Sequence, residues 1–383
     1  MSVTGPRGFR AAGVAAGIKA SGNPDVAVVV NDGPSAAAAA VFTSNRVKAA
    51  PVRWSQQAAA DGQLRAVVLN SGGANACTGL AGFSDTRQTA EHLARLLAVP
   101  AQDVAVCSTG LIGERLPMDK LLAGVDTAAT AASAAGGQAA ASAIMTTDTV
   151  PKTCGVQGDG YLIGGMAKGA AMLAPALATM LVVLTTDADL TAGDLDKALH
   201  DSVATTFDRL DSDGCMSTND TVLLLASGAS GVRPALETFT GELRSACADL
   251  AGQLLLDAEG ATKAISIDVI NAASTEDAVL AGRAIARSNL FKCAITGEDP
   301  NWGRVLAAVG TTSAVFDPDQ LNVAINGIWV CNNGAPGVDR SRVDLRPRDV
   351  TVTVDLSAGH AAATVLTTDL TAAYVHENSA YST

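Results

Sequence analysis

The sequence predicts a layered α/β protein with two packed domains, and three observations lead there. The chain has 383 residues, more than one hydrophobic core usually serves. Apolar residues make up 48% and charged residues 17%, a mixture that builds cores rather than disordered tails. Short β-rich runs alternate with helical ones throughout, and no linker is long enough to separate independent domains. Aromatic residues contribute only 3%, so Ala, Val, Leu and Gly must fill the interior, which favours small-residue packing with close backbone approach.

The elements follow in order. Residues 25–30 and 39–43 read as strands, the first closed by Asn31-Asp32-Gly33. Residues 66–69 form another, ending in the glycine-rich loop 70–75. Residues 84–98 carry Ala90, Leu93, Ala94 and Leu97 at helical spacing and stop before Pro100. A strand at 104–107 runs into Ser108-Thr109-Gly110, and the Ala-rich stretch 118–144 reads as helix broken near Gly136-Gly137. Buried strands are predicted at 161–165 and 180–184, a helix at 192–206 and a strand at 221–225. The second half opens with a helix at 234–258, then strand 264–270 and helix 275–287. Ser274 caps that helix, and Glu276 and Asp277 suit its dipole. Three alternating strands complete the chain at 322–325, 350–354 and 362–366.

Composition also excludes functions. A net charge of −12 argues against nucleic acid, which demands a basic surface. The seven cysteines are scattered, odd in number and never spaced C-x-x-C, so neither a disulfide framework nor a zinc site is expected. They read as reduced thiols of a cytoplasmic protein. Residues 1–20 lack the apolar core of a signal peptide. The uncharged stretches 127–147 and 169–186 are too rich in Ser, Thr, Gly or Pro for a membrane span, and a soluble chain is expected. There is no G-x-S-x-G elbow, H-E-x-x-H, P-loop or dinucleotide fingerprint. With four dispersed histidines, nucleophilic chemistry here calls for another base, and neither metal nor organic cofactor is expected.

An N-terminal threonine supplies such a base. Its own α-amine, with an unperturbed pKa of roughly 7.7–8.0, sits beside its hydroxyl. Thr179 is internal, so it can act this way only if the bond to Ala178 is first cleaved. Pro175 and the upstream Gly169 make a tight approach to that bond. Taken locally, an ordinary strand entry explains the same residues.

The wider pattern is more specific. Residues 164–181 (GGMAKGAAMLAPALATML) closely resemble the cleavage segment of the ornithine acetyltransferase (glutamate N-acetyltransferase) family. So do NSGGANACTG at 70–79, CSTGLIG at 107–113, AIMTTDTVPK at 143–152 and STNDTVLLL at 217–225. DAEGATK at 257–263, GEDPNWGR at 297–304 and ENSAY at 377–381 complete the series, in the family's order over nearly the whole chain.

The resemblance implies a self-processing α-β-β-α sandwich of the DmpA-like type, with a second α/β domain from about residue 235. Residues 1–178 would form an α chain and 179–383 a β chain, two of each in the assembly. Thr179 would be the nucleophile, and Thr109 with Gly110 the oxyanion hole. Substrate contacts carry over to Thr146, Lys168, Thr179, Glu259, Asn378 and Thr383. The implied reaction moves acetyl from N-acetyl-L-ornithine to L-glutamate through an acetyl-Thr179 ester, in arginine biosynthesis. Acetyl-CoA is a second donor in bifunctional members and not in monofunctional ones, and the motifs do not separate the two. Ala171 stands where the family usually has glycine and Ala176 where Asn or Ser is common; both bear on the speed of self-cleavage. Three other readings keep the motifs: an amidohydrolase or aminopeptidase of the same fold, in which water replaces glutamate; a specialised-metabolism relative with a shifted substrate; and an uncleaved binding protein.

Overall fold

In the computed structural model, residues 1–171 and 180–380 are described. The expected scissile pair Ala178 and Thr179, Ala176 in the approach to it, and Thr383 lie outside them. Along the chain come β1 (Phe9–Val14), β2 (Val26–Asn31), β3 (Ala38–Phe42), α1 (Ala50–Ala58), β4 (Ala66–Ser71) and α2 (Gly79–Leu97). Next are β5 (Val104–Thr109), α3 (Met118–Ala131), α4 (Gly137–Ala143), β6 (Lys152–Gln157) and β7 (Leu162–Lys168). After these follow β8 (Leu181–Thr186), α5 (Ala192–Val203), β9 (Thr221–Ala226) and α6 (Leu236–Leu256). The C-terminal part holds β10 (Ala264–Ala272), α7 (Thr275–Ala286), α8 (Asn289–Thr296), α9 (Trp302–Val309), β11 (Asn322–Ile325) and β12 (Ile328–Asn332). It closes with β13 (Ala335–Pro336), β14 (Asp349–Asp355), β15 (Ala361–Thr368) and α10 (Ala372–Ala380).

Two sheets lie face to face. The first has the order β1-β2-β4-β5, and the second β3-β9-β8-β7-β6. β2, β4, β5, β8 and β9 are buried at every residue, as continuous apolar runs with both faces covered should be. Alternation decides what each side meets. In β2, Val26, Val28 and Val30 pack with Leu93 of α2 and Leu121 and Val125 of α3. Ala27 and Val29 point the other way, into a core shared with Leu181 and Val183 of β8. Val182 and Leu184 of β8 then face Leu195 and Leu199 of α5 and Leu243, Leu250 and Leu254 of α6. Each such Val or Leu contributes about 1.5–3 kcal/mol by leaving water. The layers are therefore helix, sheet, sheet, helix, as the resemblance implied.

A third sheet, β13-β12-β11-β14-β10-β15, forms the C-terminal part. Ile265, Ile267 and Val269 of β10, which lies between β14 and the edge strand β15, pack with Ala281 and Ile285 of α7 and Val305 and Val309 of α9. The Ser274 hydroxyl caps α7 by accepting the Asp277 N–H at 3.1 Å. Helix α6, inside the C-terminal half if the boundary is drawn near residue 235, packs on the five-stranded sheet, and the third sheet begins at Ala264.

Several elements depart from the pattern read in the sequence. Helix α2 starts at Gly79 rather than 84, because Asn75 Nδ2 donates to the Gly82 carbonyl and the Thr86 hydroxyl at 2.8 and 2.9 Å and holds the glycine-rich first turn. The break in the Ala-rich stretch spans 132–136, ahead of the glycine pair's end. Strands β1, β6, β12 and β13 and helices α1, α8, α9 and α10 have no counterpart in the sequence pattern. Among the described residues no helix is long and apolar enough to cross a membrane.

Candidate active site

The strand ends of the sandwich bring three sequence motifs into one interlocked turn. β4 and β5 run parallel, with Ser71 opposite Thr109. The Thr109 carbonyl accepts the N–H groups of Gly72 and Gly73, both at 2.9 Å. Ser108 Oγ donates to Asn70 Oδ1 at 2.6 Å, and Asn70 Nδ2 donates to the Gly73 carbonyl at 3.1 Å. From β9's approach, Asn219 Nδ2 donates to the carbonyls of Ala74 (2.7 Å) and Ser108 (2.9 Å). So the loops 70–75, 108–110 and 217–220 fix one another.

Gly110 turns the chain at φ +131°, a conformation open in practice to glycine alone. A Cβ there would lie 2.4 Å from the Gly73 nitrogen. Among the described residues no backbone carbonyl takes up the Gly110 N–H. The Thr109 side chain is buried, and its Oγ1 accepts Lys168 Nζ at 3.3 Å. A hydroxyl that accepts from a cation keeps its own proton to donate. Thr109 and Gly110 thus present an O–H and an N–H side by side.

Lys168 ends β7 and is wholly enclosed. Burial lowers its pKa and Lys152 adds to that, while Asp148, Asp220 and Glu259 oppose it. Asp148 Oδ1 accepts the Gly169 N–H and Lys152 Nζ, both at 2.7 Å, and Oδ2 accepts the Thr146 N–H at 2.9 Å. Burial alone would raise the Asp148 carboxyl; Lys168, Lys152 and the Thr146 N–H outweigh it and hold it at about 2. Thr146 is thereby tied, through Asp148, to the turn that follows Lys168.

Glu259 approaches from the turn after α6. Its N–H donates to the Ala170 carbonyl at 2.9 Å, and its Oε2 accepts Asn378 Nδ2 at 2.9 Å. The C-terminal helix lies directly on this turn: a Cβ on Gly260, at φ +61°, would be 2.3 Å from the Tyr374 nitrogen. The structure therefore brings Thr109, Gly110, Lys168, Thr146, Glu259 and Asn378 to one region, the flank of the Gly169–Ala171 turn. Ala171 is half-buried there. Thr179, Ala178 and Thr383 stand outside the described residues.

Residues that the sequence reading passed over complete the surroundings. Asp220, at the foot of β9, is fully buried and accepts the Met180 N–H at 2.9 Å on Oδ1. Burial pushes its carboxyl well above the usual carboxylate range, against the opposing pull of the Met180 N–H, Lys168 and the Ser217 hydroxyl and N–H. Lys152 Nζ also reaches Asp257 Oδ2 at 2.6 Å, and Lys19 Nζ donates to the Met145 carbonyl at 2.6 Å. The available signal was an Asp placed immediately before an apolar strand, Asp220 before 221–226, where a solvated charge has no room. Among the described residues no three His, Cys, Asp or Glu side chains converge as metal ligands.

Comparison with known proteins gives this constellation a context. Two solved structures are similar over part of the chain. One is the ornithine acetyltransferase of Mycobacterium tuberculosis in complex with ornithine, 59% identical, covering 46% of this chain and 96% of that one, with a TM-score of 0.43. The other is the ArgJ protein of Bacillus halodurans, 33% identical, covering 51% and 97%, with a TM-score of 0.48. Arginine biosynthesis bifunctional protein ArgJ of Thermobifida fusca is 70% identical over 383 residues, covering all of both chains. Its Streptomyces coelicolor counterpart is 64% identical over 382 residues, again covering both in full. The ArgJ family model matches residues 10–383, and with full-length identity of this order the chain belongs to the ArgJ family of arginine-biosynthesis enzymes.

Proposed function

We propose that the chain is a glutamate N-acetyltransferase that takes acetyl from N-acetyl-L-ornithine and works through Thr179 after scission of the bond to Ala178. The observation that carries this reading is the Lys168–Thr109 contact beside Gly110, at the end of the strand that leads into residues 172–179. Paired O–H and N–H donors suit an acyl oxygen on which charge develops. The naming of full-length relatives for arginine biosynthesis supports an amino-acid substrate of that kind.

In the proposed scission the Thr179 hydroxyl adds to the Ala178 carbonyl and the C–N bond breaks, giving an ester and a free amine. Water then hydrolyses the ester and leaves a carboxylate on Ala178. In turnover the Thr179 amine takes the hydroxyl proton as the oxygen bonds to the acetyl carbon of acetylornithine. Thr109 and Gly110 hold the oxyanion. The amine returns the proton to the departing nitrogen, and ornithine leaves an acetyl-threonine ester behind. The α-amine of glutamate then attacks the ester, the bond from acetyl to the Thr179 oxygen breaks, and the Thr179 amine relays the glutamate nitrogen's proton to that oxygen as N-acetylglutamate departs. Lys168 is the partner for a substrate carboxylate. Glu259, held by Asn378, is the partner for a side-chain ammonium, and Thr146 and Thr383 complete the pocket.

Acetyl-CoA is the second donor we propose, since the full-length relatives are named bifunctional. The active form would be two α and two β chains, and all seven free cysteines fit a reducing cytoplasm. Ornithine release tests the reaction. Without glutamate, one ornithine per site is expected and then a halt; with glutamate, release is continuous and matched by acetylglutamate. Continuous release without glutamate would make the chain a hydrolase and overturn the reading.

A further inference from the structure

The two oxygens of Asp220 are treated differently. Oδ1 accepts the Met180 N–H at 2.9 Å. Oδ2 is buried and no donor among the described residues meets hydrogen-bond geometry with it, though the Ser217 hydroxyl and N–H lie close enough to the carboxyl to lower its pKa. An acceptor kept in this state is costly unless something comes to it. Met180's nitrogen closes the peptide bond from residue 179, so the amine that scission would create there is only three covalent bonds from the atom Asp220 already holds. We propose that Asp220 is a positioning residue for the nucleophile: Oδ1 fixes the backbone just after residue 179, and Oδ2 accepts a hydrogen bond from the α-amine released by scission.

The inference rests on the Thr179 reading above and adds a residue that reading does not use. The Thr179 amine carries an extra proton from the moment the hydroxyl attacks until ornithine leaves. A carboxylate beside it stabilises that ammonium and turns the amine's lone pair toward the hydroxyl. No bond of Asp220 itself forms or breaks. Burial raises this carboxyl's pKa, and a cation forming beside it favours the charged carboxylate again. The charged group that faces Asp220 from β7 is Lys168, and Cys215 is the titratable group that feels it from the preceding loop. Behind Lys168 stand Lys19, Lys152, Asp148 and Glu259.

Asp220→Asn separates the two oxygens' roles, because the amide still accepts the Met180 N–H but carries no charge. The variant is expected to cleave, to melt no lower than wild type, and to keep KM for acetylornithine within about twofold while kcat falls about 10- to 100-fold. The acid limb of its kcat/KM profile, set by the amine, should move down by about one pH unit as the ammonium loses its carboxylate. An unchanged kcat and profile, lost activity with an unmoved acid limb, or a folded variant that never cleaves each overturns the proposal. Asp220→Glu tests it from the other side if the Asn chain folds poorly: its acid limb should stay in place, and a limb displaced downward would refute the role. A wild-type chain that remains whole sinks the Thr179 reading itself. A cleaved, active wild type with an indistinguishable Asn variant sinks only this inference.

Discussion

Thr109 serves through a single oxygen, accepting Lys168 at 3.3 Å while its proton stays free to donate. If that donation stabilises the oxyanion, Thr109→Ala should lower kcat by about 10²–10³-fold and leave KM within about threefold, whereas Thr109→Ser should recover most of the loss. Steady-state kinetics with acetylornithine decide it, and an equal rise in KM would mean a ground-state contact instead. Gly110→Ala fails for another reason: at φ +131° its methyl meets the Gly73 backbone, and the strained backbone alone costs about 1–3 kcal/mol. Urea unfolding measures this, and a variant as stable as wild type would contradict the geometry. At this scale the chemistry was legible only through motifs. Resemblance pointed to Thr109, Gly110, Lys168, Glu259 and Asn378, which the fold does bring together. Asp148, Lys152 and Asp220 went unread, because what makes them unusual is burial, and burial is imposed by strands and turns distant in sequence.

Between elements, the strongest tie near the site is the ion triad of Lys152 on β6, Asp148 before it and Asp257 after α6. Their side chains are 1%, 0% and 9% exposed. Lys152→Met would remove the cation that two enclosed carboxylates share, leaving Lys168 as the cation beside Asp148, at a cost of about 3–5 kcal/mol. A chemical-denaturation midpoint unchanged from wild type would refute that. Asp148 also sets an acid limit. Its carboxyl is lowered from 3.8 to about 2, so it stabilises the fold above pH 4 and loses that contribution as pH falls toward 2. The contribution is about 2 kcal/mol. Stability measured against pH should show wild type and Asp148→Asn converging near pH 2; parallel curves would contradict the shift. Elements themselves were legible in proportion to their apolar runs. β4, β5, β8 and β9 announce themselves by unbroken Val, Leu and Ala. β6 (KTCGVQ) is an edge strand with little apolar surface, and α1 spans only nine residues, too few for a helical period to stand out.

Across the whole molecule, pattern alone reached layered α/β, and the α-β-β-α order came from the resemblance. Periodicity says which residues are apolar but not which sheet they will face, and the single core that Val29 and Val183 share from two sheets has no local trace. The C-terminal helix α10 has no fully buried residue, Tyr374 and Glu377 being half-buried, yet carries Asn378 onto Glu259. Removing residues 372–383 should therefore leave the sandwich folded, with its melting temperature nearly intact, while KM for acetylornithine rises at least about tenfold through loss of a charge-assisted hydrogen bond. A collapse in stability would show that the helix is structural.

The most direct measurement is the intact mass of the purified chain before and after acetylornithine is added. Two polypeptides are expected, residues 1–178 and 179–383, with one acetyl group appearing on the second and none on a Thr179→Val variant, which should stay whole and inactive. An active enzyme of a single unbroken chain, or a Val variant that transfers acetyl as fast as wild type, would contradict the proposed nucleophile.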